Sequence, residues 1–229
     1  MKENKINNGT EKDSKIEDKM TKERLISIYM DSVLMKESKP TSVFKFCREN
    51  ELMEDEFYQF FGSFEGLQIE IWNSFFQQAV NLIHKDDSFE NFGNREKMLT
   101  FYYTFFEVLT LNRSYVLFSL NENREVLKNL KQLKGLRSRV KNFVSELIRD
   151  QNESQNLKLL KQPVSVFSEG AWLQTLFLLK YWMEDNSAGF ENTDIAIEKS
   201  VRAIFDLFDN TPLESILDFG KFLWKEKTV

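Results

Sequence analysis

Side chains able to do chemistry are scarce in this sequence. His84 is the single histidine and Cys47 the single cysteine of 229 residues. A Cys–His or Ser–His nucleophile would have to use His84. Cys47 and His84 fall on different predicted helices, and nothing in the spacing brings them together. His84, Asp86 and Asp87 are metal-ligating types set close together. The same spacing also describes a helix C-terminus, where a histidine meets the negative end of the dipole and solvated acids follow. The second description is adopted, so no metal is expected. No phosphate-cradling Gly-rich loop, nucleophile elbow or helical His pair occurs. One thiol excludes an intramolecular disulfide framework and a zinc site built on paired thiolates. The sequence predicts a protein that is not an enzyme and uses no cofactor.

The elements that must carry the remaining residues are helices. Gly and Pro together number 11, against about 27 for average usage over this length. An all-β chain needs a turn signal every 8–12 residues or so, which this deficit denies. Phe supplies 22 of the 32 aromatic residues, so long helices around a bulky core are expected. The greasiest runs, Met98–Leu111 and Ala171–Met183, are interrupted by Glu107 and Lys180 and suit buried helices better than membrane spans. Residues 1–20 balance five Lys against five acids without an apolar core and read as a disordered arm rather than a signal peptide. A net charge of −5 offers nucleic acid or anionic lipid no general attraction. A cytoplasmic location is expected.

The breakers divide the chain. Helices are predicted over Lys22–Lys36, Val43–Glu49, Glu54–Phe60 and Phe64–His84, and the loop Asp86–Asn94 closes this first unit, residues 21–85. The second unit, 94–229, carries helices over Arg95–Leu111, Arg113–Leu120, Glu122–Asp150 with Gly135 as an irregularity, Val164–Glu184 and Asp194–Asp209. Thr211-Pro212-Leu213-Glu214 supplies an N-cap hydroxyl, Pro at N1 and Glu at N3 for a last helix to about Lys225. The expected class is all-α, with nine to ten helices.

The segment 41–67, TSVFKFCRENELMEDEFYQFFGSFEGL, places two short helices and a tight turn between longer ones, which is a helix-turn-helix layout. It resembles the N-terminal domain of the TetR family of bacterial transcriptional regulators. Thr41-Ser42-Val43 resembles the opening of the family's second helix, and Cys47 stands where a small residue packs. Phe57, Tyr58 and Phe61 match the aromatic signature of the recognition helix, and Ser63, Glu65 and Leu67 the opening of the next helix. The resemblance implies a TetR-like fold, a homodimer, and DNA contacts from Thr41, Ser42, Tyr58 and Gln59. The departures are as specific. Glu51 replaces the turn glycine, Phe64 replaces the base expected after the motif, and five acids with no base lie between Glu49 and Glu56. Phosphate neutralisation dominates DNA affinity, so this surface has the wrong sign for a duplex.

In the second unit, Arg95–Leu111 is apolar around most of its circumference and must be covered on several sides. Tyr103, Phe105, Phe106, Leu109, Tyr115, Phe118, Phe167, Trp172 and Phe177 either form a solid core or wall a tunnel for an elongated apolar or lipid-like ligand. Arg113, Tyr103 and Gln174 are its candidate polar anchors. The resemblance favours the tunnel, because TetR-like proteins use this region as a pocket. It also implies that two late helices pair across a dimer, through Leu179, Trp182, Ile197, Val201, Ile204 and Phe208. Between them, Asp185-x-Ser187-x-x-Phe190-Glu191-Asn192-Thr193, with Glu198 and Val201, is similar to a stretch in the TetR-fold lipid-binding proteins of ubiquinone biosynthesis. That similarity implies a lipid ligand and a partner enzyme in place of DNA. Two functions stay open: a ligand-binding dimer with weak or lost operator binding, and a working repressor released by its ligand.

Overall fold

Thr21 caps the first helix, its hydroxyl accepting from the Arg24 amide at 3.1 Å. That helix, α1, runs Lys22–Lys36, followed by α2 (Val43–Glu49), α3 (Glu54–Phe60) and α4 (Phe64–Ile83). Ser42 and Ser63 cap α2 and α4 by accepting from the Lys45 and Gly66 amides. Next come α5 (Asn94–Leu111), α6 (Arg113–Asn121), α7 (Lys134–Ser154), α8 (Val164–Glu184) and α9 (Glu191–Asn210). The computed structural model describes residues 19–121, 129–154 and 164–210, excluding the side chains at 151, 152, 154 and 208–210. Among the described residues every regular element is helical. Most of the predicted arm and the capped helix after Thr211 lie outside the described residues.

The first three helices close around rings. Tyr29, Phe46, Phe57 and Phe64 meet with centroids 5.3–6.1 Å apart, mostly edge to face. This is the geometry the ring quadrupole favours. Phe64, at the position where a base was expected, is therefore absorbed into the core of the helix-turn-helix. α4 continues that core into the rest of the chain. Its Gln68 donates to Tyr29 Oη at 2.6 Å, and its buried Trp72 donates to Gln132 Oε1 at 2.9 Å. Gln132 in turn donates to the carbonyls of Ser119 and Asn129, so every hydrogen-bonding atom of that buried amide group is used. The buried apolar side chains form one continuous cluster from Leu25 to Phe205.

One predicted irregularity is misplaced. The break falls at a short 3-10 turn, Lys131–Leu133, and Gly135 sits inside α7. There the missing Cβ lets α4 come close: a methyl at 135 would stand 2.3 Å from Asn73 Oδ1. The predicted loop 86–94 also contains a 3-10 turn, Phe89–Asn91, which buries Phe89.

Candidate functional site

The outer face of α2 and α3 is built by the turn between them. Leu52 N–H reaches back to Cys47 O at 2.8 Å, and the Asn50 amide caps Phe46 O at 2.7 Å. Closing this tightly puts Glu51 at φ 57°, a left-handed conformation that glycine adopts without penalty. The family's turn glycine is thus replaced in residue type while its backbone geometry is kept. Cys47 is buried beneath the turn, and burial, with the charges of Glu54 and Glu56, pushes its thiol pKa up.

Thr41, Ser42, Tyr58 and Gln59 all reach the surface of this unit, with the Ser42 hydroxyl occupied as the α2 cap. Around them the composition is acidic and apolar. Glu54, Asp55 and Glu56 fill the first turn of α3, and no residue of α3 is basic. Glu56 is tied down, accepting from Met53 N–H at 2.8 Å. Phe44, Met53 and Tyr58 are 55%, 62% and 52% exposed. Phe44, Arg48, Leu52, Met53 and Glu54 line a groove of about 330 Å³ floored by Cys47. The Arg48 guanidinium lies 5.6 Å over the Phe44 ring. Glu49 is matched by Lys36 and Lys45. Composition disclosed the acids; the exposed apolar side chains between them became visible only in three dimensions.

Among the described residues the aromatic set of the second unit is closely packed. Phe105, Phe106, Leu109, Tyr115, Phe167, Trp172 and Gln174 are buried, and Tyr103 and Phe118 partly so. Phe101 stacks on Phe105 with planes 9° apart, Phe105 meets Phe106, and Phe106 meets Trp182. Between α5, α7, α8 and α9 the void left over measures about 10 Å³, lined by Met98, Leu147, Phe167, Gln174, Ile204 and Phe205 among others. That is space for one water at most. Of the predicted pocket residues, Phe167 and Gln174 line it. Phe177 faces solvent and lines no pocket described here.

Arg113, a candidate polar anchor, is engaged by the protein itself in this arrangement. Its Nη1 donates to Trp182 O at 2.9 Å, and its Nη2 donates to Met183 O and Asp185 O, both at 3.3 Å. Trp182 and Met183 lie in the last turn of α8 and Asp185 just after it, where carbonyls run short of helical amides; Trp182 O also accepts from Asp185 N–H at 3.3 Å. The guanidinium also lies 4.4 Å from the ring centroids of both Trp182 and Phe190. Phe190 itself sits at φ 62°, clasped in that stack.

The stretch after α8 is a second closure. Asp185 Oδ1 accepts from Ser187 N–H and Oγ–H, and its Oδ2 accepts from Thr193 N–H and Oγ1–H, at 2.7–2.9 Å. Burial alone would raise this carboxyl; the four hydrogen bonds outweigh it and hold the pKa at about 2. The Asp-x-Ser…Thr spacing noticed in the sequence thus serves to join α8 to α9.

The predicted dimer residues separate. Leu179, Trp182, Ile197 and Val201 are at most 3% exposed within one chain, so they have no surface left for a partner. Ile204 is half-buried, and the Phe208 side chain lies outside the described residues. Leu173, Phe177 and Tyr181 take the exposed face of α8 at a spacing of four, with Ile195 and Leu207 exposed on α9. The 4-3 seam on α9 is real but packs on its own chain, against α5 and α8.

Two further openings border α4. One, of about 440 Å³, runs between α4 and α7 past Phe76, His84, Phe89, Lys97, Arg139 and Phe143. His84 Nδ1 lies 2.8 Å from Val80 O and its ring rests on Phe89, while Asp86 accepts from Ser88. Among the described residues no three His, Cys, Asp or Glu side chains gather to hold a metal. The other opening, of about 300 Å³, lies where Lys39 and Gln68 meet Asn129 and Gln132. Among the described residues no helix is long and apolar enough to cross a membrane.

Among the described residues the architecture is all-helical, with a capped helix-turn-helix followed by a larger set of packed helices. A family model described as tetracyclin repressor-like, C-terminal domain, matches residues 97–223, more than half of the chain. The chain belongs to the TetR family. The matched residues lie outside the helix-turn-helix segment 41–67. No curated protein and no solved structure matches the chain significantly.

Proposed function

We propose that this chain is a dimeric TetR-family homologue with weak or lost operator binding that works through an apolar or lipid-like ligand in its C-terminal unit. The observation that carries this reading is the outer face of α2–α3. A recognition helix without a base, opening on Glu54, Asp55 and Glu56, repels phosphates where the family's function requires contact with them. The ligand's place is the slot between α5, α7, α8 and α9, whose void measures about 10 Å³. An apolar molecule enters by parting these helices over Phe167, Ile204 and Phe205, with Gln174, bonded to Ser200 at 2.9 Å, as the polar group at hand. The dimer forms through Leu173, Phe177 and Tyr181 on α8 and Ile195 on α9, the large apolar side chains these helices leave exposed.

The alternative, a ligand-released repressor, is favoured by one observation: Thr41, Tyr58 and Gln59 stand exposed where phosphate contacts would be made. Binding of the full-length protein to duplexes from its own upstream DNA at low salt decides between them. Micromolar or weaker, sequence-indifferent binding is expected. Nanomolar, steeply salt-dependent and sequence-dependent binding would refute the proposal. Native mass spectrometry of the purified protein tests the ligand, with a co-purifying apolar mass as the expected result.

A further inference from the structure

The α2–α3 face has more than a missing function. Loss of phosphate contacts accounts for acids replacing bases, but leaves unexplained why Phe44, Met53 and Tyr58 remain more than half exposed on a unit that buries Phe46, Phe57 and Phe61. Large apolar side chains gathered on a surface and rimmed by charge mark an interaction site. Here the rim is acidic on the α3 side, with Arg48 of α2 as the one cation lining the groove among the described residues. Glu51, Glu54 and Asp55 are exposed and have no ion-pair partner among the described residues. Glu56 adds its charge from the cap position. Glu49 is matched by Lys36 and Lys45, and around the groove the acids Glu51, Glu54 and Asp55 outnumber its lining cation, Arg48, which lies over Phe44. The groove is wide enough for side chains, at about 330 Å³, and its floor at Cys47 is apolar.

We propose that this face docks a basic amphipathic helix of a partner protein. Apolar residues of that helix would sit in the groove against Phe44, Leu52 and Met53, while its Lys and Arg would meet Glu51, Glu54 and Asp55. This is helix-in-groove recognition, with apolar anchors supplying affinity and the charged rim supplying orientation and rate. The inference rests on the reading that operator DNA has left this face, since a duplex and a basic helix would compete for it.

The test is a titration of isotope-labelled full-length protein, followed by amide chemical shifts. The probe is a synthetic 18-residue amphipathic helix of Leu and Lys; the control has Glu in place of every Lys. Shifts confined to residues 43–60, saturating at micromolar Lys peptide, are expected, with none from the Glu peptide. F44S or M53S should each weaken binding roughly tenfold, the loss typical of one truncated apolar anchor. E54K/D55K should abolish it. Because both Glu54 and Asp55 are exposed, unchanged thermal unfolding of that variant keeps the result interpretable. Shifts spread over other acidic surfaces, or equal binding of the Glu peptide, would overturn the proposal. So would the same shifts from an added unlabelled copy of the chain. A random duplex and the upstream duplex complete the series. If neither duplex nor Lys peptide binds, the docking inference falls while lost operator binding stands. If the upstream duplex shifts 43–60 at nanomolar concentration, both fall.

Discussion

Replacing Arg113 separates a structural clamp from a ligand anchor. Arg113→Ala removes three hydrogen bonds onto the end of α8 and two ring contacts, on Trp182 and Phe190. A net hydrogen bond contributes about 1 kcal/mol, and a partly exposed cation–π contact about 0.5–1 kcal/mol. The contacts share one half-buried group, so they are not additive, and about 3 kcal/mol is the expected loss. For a chain of this size that lowers Tm by about 6–12 °C. Arg113→Lys keeps the charge but has no fork to span three carbonyls, so it should recover less than half of the loss. Thermal unfolding followed by circular dichroism reads both variants. A Tm within about 2 °C of wild type for Arg113→Ala would refute the clamp. Loss of a bound apolar mass at unchanged Tm would show that the side chain serves a ligand instead.

Four further outcomes are expected. Glu54→Lys with Asp55→Lys adds two cations to the recognition face. Random-duplex affinity should rise, and its log–log salt slope should steepen by about 1.8, or roughly 12-fold more loss between 50 and 200 mM salt, read by fluorescence anisotropy. Asp185 is held below its ordinary 3.8, so its contribution is present above that value and fades as pH falls toward about 2. The Tm gap between wild type and Asp185→Asn should therefore be constant near neutrality and close between pH 4 and 2. Glu51→Gly relieves a left-handed residue and should raise Tm slightly, whereas Glu51→Val should lower it; equal values would deny the conformational strain. Leu173→Glu with Phe177→Glu should convert a dimer of the 27.2 kDa chain to monomer by light scattering, with unfolding of the protomer unaltered.

Local features were legible in the sequence and partners across space were not. The bounds of α2, α3 and α8 match expectation because the Ser42 cap, the Glu56 side chain on Met53 N–H and apolar periodicity act within a few residues. Phe64 could be seen to depart from the family, but not that it would complete a ring cluster with Tyr29, Phe46 and Phe57. Arg113 looked like a lone cation in an apolar region because its carbonyl partners lie about seventy residues away. Gly135 looked like a helix irregularity because its purpose, room for Asn73 of α4, belongs to another element. α8 is apolar on nearly every side, and such a pattern cannot say which side stays uncovered. That is why Phe177 was expected inside, and Leu179 and Trp182 on the partner's side.

The burial of Cys47 has a practical consequence. It is the chain's sole thiol and lies within the helix-turn-helix, whereas all four tryptophans, Trp72, Trp172, Trp182 and Trp224, come later. With its pKa raised and its side chain covered, the thiol should react with a disulfide reagent only when α2 and α3 come apart. Thiol modification rates would then clock the opening of the docking face while indole fluorescence follows the remainder of the fold. A partner seated in the groove should slow the first and leave the second unmoved, so native protein carries two separate gauges without any label being introduced.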